Sequence, residues 1–378
     1  MAVRVTKPAL NVREKLTELD LPKGKHGTQV LKSNSLKETC ELVGSGRRNL
    51  LINGGFDVWQ RGTTFSSETT SAHYYTADRW MVYRSSNSHT STTRESFNVG
   101  QSEVPGNPSH FLRLSNVPDA DSTWLEIAQH VEDVTQFSDK WVTLSFWMRA
   151  NQPQENNEDY WSFQYYFGSG GSPSSNYQAA MTPKFDIDTT WRYYEFPVYL
   201  LDIQGKTLGT DGKHTSSLKV QLLRDSAVGA DTYYDIANMQ LEFGRGATPF
   251  EKRSYGEELA LCQRYYHLYL DSDTNSSDQA PTTPAIVYNS TSLIWCPIQH
   301  PLPMRIPPSL DKVEGSDYYR VFYRNSNAAV DGITLSRTSP LVTEIYFTGA
   351  TGTQGDACWL RGNHADAKIG FAAEFAWD

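Results

Sequence analysis

Apolar and polar side chains alternate with a period of two in one segment of this chain after another, the signature of half-buried β-strands. In WVTLSFWMRA, Trp141–Ala150, the residues Val142, Leu144, Phe146 and Met148 share one face. Trp141, Thr143, Ser145, Trp147 and Arg149 share the other, because successive side chains of a strand point to opposite sides. In WRYYEFPVYLL, from Trp191, the core face carries Tyr194, Phe196, Val198 and Leu200, leaving Trp191, Tyr193, Glu195 and Tyr199 outward. Further strand signals begin at Arg79, His110, Tyr160, Leu218 and Thr232, separated by turn clusters such as GSGGSPSS and QGKTLGTDGKH. Residues 49–253 therefore read as one two-sheet β-sandwich. Its opening stretch, NLLINGGFDVWQRGTTF from Asn49 to Phe65, reads as the first strand. The apolar run Leu50–Ile52 is broken by Asn53, Gly54 and Gly55, then resumed by Phe56, Val58 and Trp59.

The flanks differ in kind. Residues 1–48 predict two short helices. Asn11 with Glu14, and Ser35 with Glu38, are capping-box patterns. Val12, Leu16 and Leu19 form one apolar stripe, and Leu36, Cys40 and Val43 another, closed by Gly44. Neither helix is long enough to stand alone; each buries its stripe against a partner or its own copies, or the head is a disordered leader. Residues 254–378 predict a smaller β-domain entered through a third capping box, Ser254 with Glu257. Strands follow from Tyr265, AIVYNSTSLIWCPI, YYRVFYR, VTEIYFTG, ACWLRG and IGFAAEFAW, while the prolines of PLPMRIPPSL keep that stretch extended and outside any ladder. The expected fold is mostly β: a short helical N-terminal head, a jelly-roll sandwich in the middle, and a smaller, sandwich-like C-terminal domain. No fixed-period repeat supports a solenoid.

Charge sharpens this division. The head carries ten Lys/Arg against five Asp/Glu, so of the chain's net −9 the head contributes +5 and the remainder −14. An acidic body disfavours nucleic acid as its ligand, since phosphates require clustered positive charge. The basic head is either a solvated tail or a foot for an acidic surface. Arg4 and Lys7 interrupt the N-terminus before a signal-peptide core can form. No run approaches the about 18 apolar residues of a membrane span. Cys40, Cys262, Cys296 and Cys358 are far apart in sequence. They form no C-x-x-C pair and read as reduced, buried thiols of a protein made in a cytoplasm.

No catalytic constellation stands out. The nine histidines form no H-E-x-x-H pairing, and Asp119/Asp121 and Asp186/Asp188 sit beside turn formers. Two distant carboxylates assembled across a cleft, as in a glycosidase, remain compatible with the sequence. Asp271, Asp273 and Asn275 imitate half an EF-hand, but Ser276 and Thr282 stand where Gly and Glu are required. Asp57 and Asp235, near the two ends of the sandwich, are candidate ligands of a structural Ca²⁺. The most specific hint is the outward aromatic face. Trp141, Trp147, Tyr193 and Tyr199, with Arg149 and Glu195, suit a glycan platform, rings stacking on sugar C–H faces while polar groups take hydroxyls. The same face equally suits packing against a subunit or another layer.

RNLLINGGFDVWQRG with ADRWMV from Ala77, and the exit YYDIANMQLEFGRGATPFEKRSYGEELALCQRYY from Tyr233, resemble a domain of tail fibres and receptor-binding proteins of tailed bacteriophages, above all marine phages and cyanophages. HPLPMRIPPSL, IGFAAEFAW and the leader NVREKLTELDLPKGKHGTQVLKS resemble the ends of the same proteins. The NGGF entry and YYDIANMQLE exit are also similar to jelly-roll carbohydrate-binding modules, in which a structural calcium often joins first and last strands; here Asp57 stands where Glu is usual. The resemblance implies a non-enzymatic homotrimer made in the host cytoplasm and carried on the virion. Residues 1–48, through Val12, Leu16, Leu19, Leu36 and Val43, would attach it to a tail or capsid protein. Its β-domains would bind host polysaccharide or lipopolysaccharide, without nucleic acid or membrane insertion. A surface-polysaccharide depolymerase and an architectural decoration fibre are the rival readings.

Overall fold

In the computed structural model the described residues are 48–375, apart from 67–71, 85–88, 118–124, 212–215, 225–231, 273–280, 289–292, 324–325 and 350–352. The expected head helices, with Val12, Leu16, Leu19, Leu36, Cys40 and Val43, lie outside them, as do Asp119, Asp121, Asp273 and Asn275.

The alternating segments build two antiparallel sheets. The first contains β1 (Thr64–Ser66), β4 (His89–Ser96), β5 (His110–Val117), β13 (Thr232–Phe243), β7 (Lys140–Ala150) and β11 (Arg192–Leu200), in that spatial order. The second runs β10 (Phe185–Ile187), β8 (Gln154–Phe167), β12 (Ser216–Arg224), β6 (Leu125–Glu132), β3 (Met81–Arg84), β2 (Ala72–Tyr75), with β9 (Tyr177–Met181) also on β8. The inward faces meet as read: Val142, Leu144, Phe146 and Met148 are fully buried. They pack with Trp161, Phe163, Val220 and Leu222 of the opposite sheet in one core. Tyr194, Val198 and Leu200 of β11 join them.

The opening stretch is not a strand until Thr64 and Phe65 enter β1, which corrects the sequence reading. Its backbone groups are taken by side chains and by isolated backbone bonds, such as Leu50 N–H to the Leu241 carbonyl at 2.9 Å, rather than by a ladder. Asn49 Oδ1 accepts the amides of Leu51 and Leu241 at 3.0 and 3.1 Å, and Gln129 brackets Ile52 through both its N–H and C=O at 2.8 Å. Asn53 takes the left-handed conformation (φ 57°), and its side chain holds Val58 and the Asp78 carbonyl. Leu51, Phe56 and Val58 are thereby driven into the core, and the stretch plugs one end of the sandwich.

The capping box at Ser254 and Glu257 opens α1 (Tyr255–Gln263), which leads into the C-terminal unit. There β14 (Tyr266–Asp271), β22 (Lys368–Ala372) and β17 (Ser309–Val313) form a small sheet. Six further strands, β15 (Pro281–Val287), β16 (Ile294–Gln299), β20 (Val342–Thr348), β19 (Ser326–Thr338), β18 (Tyr319–Tyr323) and β21 (Ala357–Gly362), close in that order. The unit is thus a closed barrel with an appended sheet rather than a sandwich; closure removes the free edges of the barrel. Cys296 and Cys358 are buried in the barrel, and Cys262 is buried in α1.

Sandwich and barrel are joined by buried charge. Arg79 pairs with Glu374, donates to the His130 carbonyl at 2.6 Å, and lies over the Tyr265 ring at 3.4 Å. Arg264 grips Glu132 through two 2.9 Å bonds. At the edge of this cluster Asp78 is fully buried. Desolvation raises its carboxyl from 3.8 to about 6, against the pull of Arg61 and the Gln60 hydrogen bonds. An acid whose pKa is raised on folding contributes stability that is complete below its unfolded pKa and lost as pH rises through the folded one. Stability of the wild type relative to Asp78→Asn should therefore fall between pH 3.8 and about 6. The loss should be about 3 kcal/mol, read from urea unfolding across that range; a constant difference would contradict the assignment.

Candidate functional site

Antiparallel register decides which outward residues meet. Across β7 and β11, Trp147 faces Tyr193, Ser145 faces Glu195, Thr143 faces Pro197, and Trp141 faces Tyr199. Two aromatic pairs result, each with ring centroids 5.6 Å apart. They do not form one platform. After β13 the chain turns back over the sheet and lies between them. Gly244 N–H donates to the Trp141 carbonyl at 2.8 Å, Arg245 covers the Trp141 ring at 4.0 Å, and Ala247 N–H donates to Glu195 at 3.2 Å. Thr143, outward by phase, is buried beneath this segment.

The Trp147–Tyr193 pair belongs to a cleft of about 570 Å³. Its floor is Ser145, Trp147, Tyr193, Glu195 and Asn238. One wall is Pro105–Pro108, between β4 and β5; the other is Ala247–Phe250 with Lys252; Gly55 and Asp57 complete it. Asn238 enters through a bulge: the β13–β7 register shifts between Ala237 and Gln240, and Asn238 is left-handed (φ 50°). A bulge re-aims side chains locally, and here Asn238 Nδ2 reaches the Pro105 carbonyl at 3.3 Å. Tyr193 is 41% exposed, yet burial holds its hydroxyl above the ordinary tyrosine value, against the Ser145 hydrogen bond that lowers it. The cleft thus offers apolar ring faces beside carboxylates, an amide and an ammonium.

Other predicted site residues sit elsewhere. Arg149 lies outside the cleft lining; its guanidinium donates to Asp235 at 2.9 Å and lies 4.9 Å from the Trp191 ring. Trp141 and Tyr199 belong to a separate shallow depression with Pro183, Pro197 and Leu201. The shared-calcium reading is corrected. Asp235 is fully buried between Arg113, bidentate at 2.7 and 2.9 Å, and Arg149, so two cations already stand where a third would have to enter. Asp57 instead meets His110 Nδ1 at 2.7 Å and lines the cleft. Among the described residues no three His, Cys, Asp or Glu side chains converge as a metal site requires.

Sequence reading missed Asn238, Phe250, Lys252 and the proline wall. One signal was available: the inward residues of YYDIANMQLE run Tyr234, Ile236, then Met239 and Leu241, and this slip of phase marks the bulge. Nothing local announces that Ala247–Lys252 folds back over the sheet.

Fold and cleft define a two-unit, mostly β chain with a roofed aromatic pocket on one sheet. Neither a protein-family model nor a curated protein matches it. Among solved structures it is similar to the enzymatically active domain of tailspike protein 4 of bacteriophage CBA120, with 14% identity and a TM-score of 0.31. That alignment covers 52% of this chain and 21% of that one. It is also similar to the family 11 carbohydrate-binding module from Clostridium thermocellum in complex with a β-1,3-1,4-mixed-linked tetrasaccharide, at 12% identity and a TM-score of 0.28, covering 48% and 95% of the two chains. TmCBM61 in complex with β-1,4-galactotriose aligns at 12% identity and a TM-score of 0.26, over 52% and 100%. At these scores the alignments carry no argument about the cleft, whose reading rests on its own geometry.

Proposed function

We propose that this chain is a non-catalytic, glycan-binding fibre protein of a tailed-phage virion, and that the Trp147–Tyr193 cleft is its saccharide site. The observation that carries the reading is the composition of the cleft. Trp147, Tyr193 and Phe250 present apolar faces, while Asp57, Glu195, Asn238 and Lys252 supply polar groups to the same lining. A pyranose has one apolar C–H face and a rim of hydroxyls, and this arrangement matches both. Hydrolysis would need two carboxylates poised around a glycosidic bond. Here Asp57 is held by His110 and Glu195 receives the Ala247 amide, which favours binding over chemistry. The virion role is supported by the sequence resemblance at both ends of the chain and by the +5 charge of residues 1–48. In this reading residues 1–48 anchor a homotrimer to a tail or capsid protein. The cleft takes host polysaccharide or lipopolysaccharide during adsorption, and residues 254–378 lie distal.

The test is binding of purified chain to isolated host surface polysaccharide. Tyr193→Ala should weaken it about ten- to hundredfold, the about 1–3 kcal/mol of a stacking ring. Tyr193 is the better probe than Trp147, which also packs against the buried cluster of Val104, Phe111, Trp191 and Ala237. Undiminished binding by folded Tyr193→Ala would remove the cleft from the account. Deleting residues 1–48 should abolish incorporation into particles while leaving polysaccharide binding intact; normal incorporation would refute the anchor.

A further inference from the structure

We infer that the cleft receives the end of a neutral glycan chain and cannot hold an internal run of one; this rests on the cleft being a saccharide site. The reasoning is topological. A polymer bound along its length needs a groove open in two opposite directions, and main chain or packed side chains stand across the paths over this sheet. Along β7 toward Trp141 the way is barred by the returning segment. Thr143 Oγ1 donates to the Gly244 carbonyl at 2.9 Å, Ala247 N–H to Glu195 at 3.2 Å, and Thr248 N–H to Glu242 at 2.9 Å. These contacts cover Thr143 on a face that alternation alone would leave open. In the opposite direction Trp147 abuts the cluster of Phe97, Phe111 and Trp191. Toward β5 stands the wall Pro105–Pro108, held at Pro105 by Asn238 at 3.3 Å. Lys252 Nζ reaches the Asn107 carbonyl at 3.4 Å and so ties the two walls to each other.

The remaining side lies over β11, the outer strand of its sheet, where Tyr193 is 41% exposed. A glycan can enter there and stack on Tyr193 and Trp147. Its leading residue then meets Glu195, Asn238 and Asp57 and goes no further. A volume of about 570 Å³ suits a ligand of small-molecule size rather than a polymer segment.

Neutrality follows from the lining. Two carboxylates, Asp57 and Glu195, face one ammonium, Lys252, already directed to a backbone carbonyl. A terminal sugar bearing a carboxylate would be brought toward like charge in a partly desolvated site, which is unfavourable.

The experiment uses the full chain on an array of neutral oligosaccharides attached through their reducing ends. The array holds gluco-, galacto-, manno- and N-acetylhexosamine series, each from di- to hexasaccharide. Each is printed a second time with the non-reducing end capped by sialic acid. The expected result is a signal that follows the identity of the terminal residues, does not grow with chain length, and is lost on capping. A signal that climbs with length and survives the cap would overturn end recognition while leaving the saccharide site standing. No signal on any glycan, or a signal unchanged in Tyr193→Ala, would overturn the saccharide reading and this inference with it.

Discussion

Replacing Gly54 by alanine should leave little folded protein. An added Cβ would lie 2.1 Å from the Met239 carbonyl oxygen, far inside contact distance. That oxygen cannot withdraw cheaply, because Asn49 Nδ2 donates to it at 2.9 Å. The Met239 amide in turn donates to the Gly54 carbonyl at 2.8 Å, so both strands of the contact are tied together. Relief requires breaking one of these buried bonds or displacing the plug from the sandwich. The expected cost is about 3 kcal/mol or more, a large part of the about 5–15 kcal/mol that holds an ordinary domain. Gly55 supplies the control, since its added Cβ would meet the end of the Asp57 side chain at 3.2 Å and, at ordinary contact distance, the Phe250 ring at 3.6 Å. Urea unfolding should show Gly54→Ala severely destabilised and Gly55→Ala close to wild type. Equal stability of the two variants would show that the plug is not held as described.

Arg79→Ala should be comparably damaging, for an electrostatic reason. Arg79 is buried at the junction of sandwich and barrel, where its partners are Glu374, the His130 carbonyl and the Tyr265 ring. Truncation leaves the Glu374 carboxylate desolvated, with Arg61 at 3.6 Å as a weaker counter-charge. Breaking one side of a buried ion pair costs about 3–5 kcal/mol, whereas replacing both sides by neutral groups of similar size costs far less. The double variant Arg79→Met with Glu374→Gln should therefore recover much of what Arg79→Ala loses. Hydrogen exchange supplies a second measurement, with amides of Tyr265 and residues 371–375 losing protection in Arg79→Ala. Wild-type protection there would mean that the junction is held by its apolar contacts, such as the stacking of Phe375 on His130 at 4.9 Å.

Strand periodicity was legible because it is local. Side-chain alternation follows from the backbone itself, so Val142, Leu144, Phe146 and Met148 could be placed inward without knowing their partners. The Ser254 capping box was legible for the same reason: both of its bonds lie within one turn. By contrast β4, β6 and β19 escaped notice. Stretches such as HTSTTRES carry mostly polar residues and pair because neighbours on either side supply the ladder. The opening stretch looked like a strand for its apolar residues. Whether such residues ladder or plug depends on where their amides find partners, and those partners, Gln129, Met239 and Leu241, are 77 to 192 residues away.

The candidate site divides along the same line. By itself the sequence determined that Trp147, Tyr193 and Glu195 stand on the non-core face of their strands, since phase alone sets that; that these strands are neighbours was decided by the tertiary structure. Tertiary structure decided that Trp141, Tyr199 and Arg149 do not share their cleft, that Asp57 joins it, and that Asp235 is paired with two arginines. The physical reason is that a sheet's periodicity says which way a side chain points. What the chain then lays over that face, here the return of Gly244–Lys252, is settled by long-range packing that no local pattern encodes.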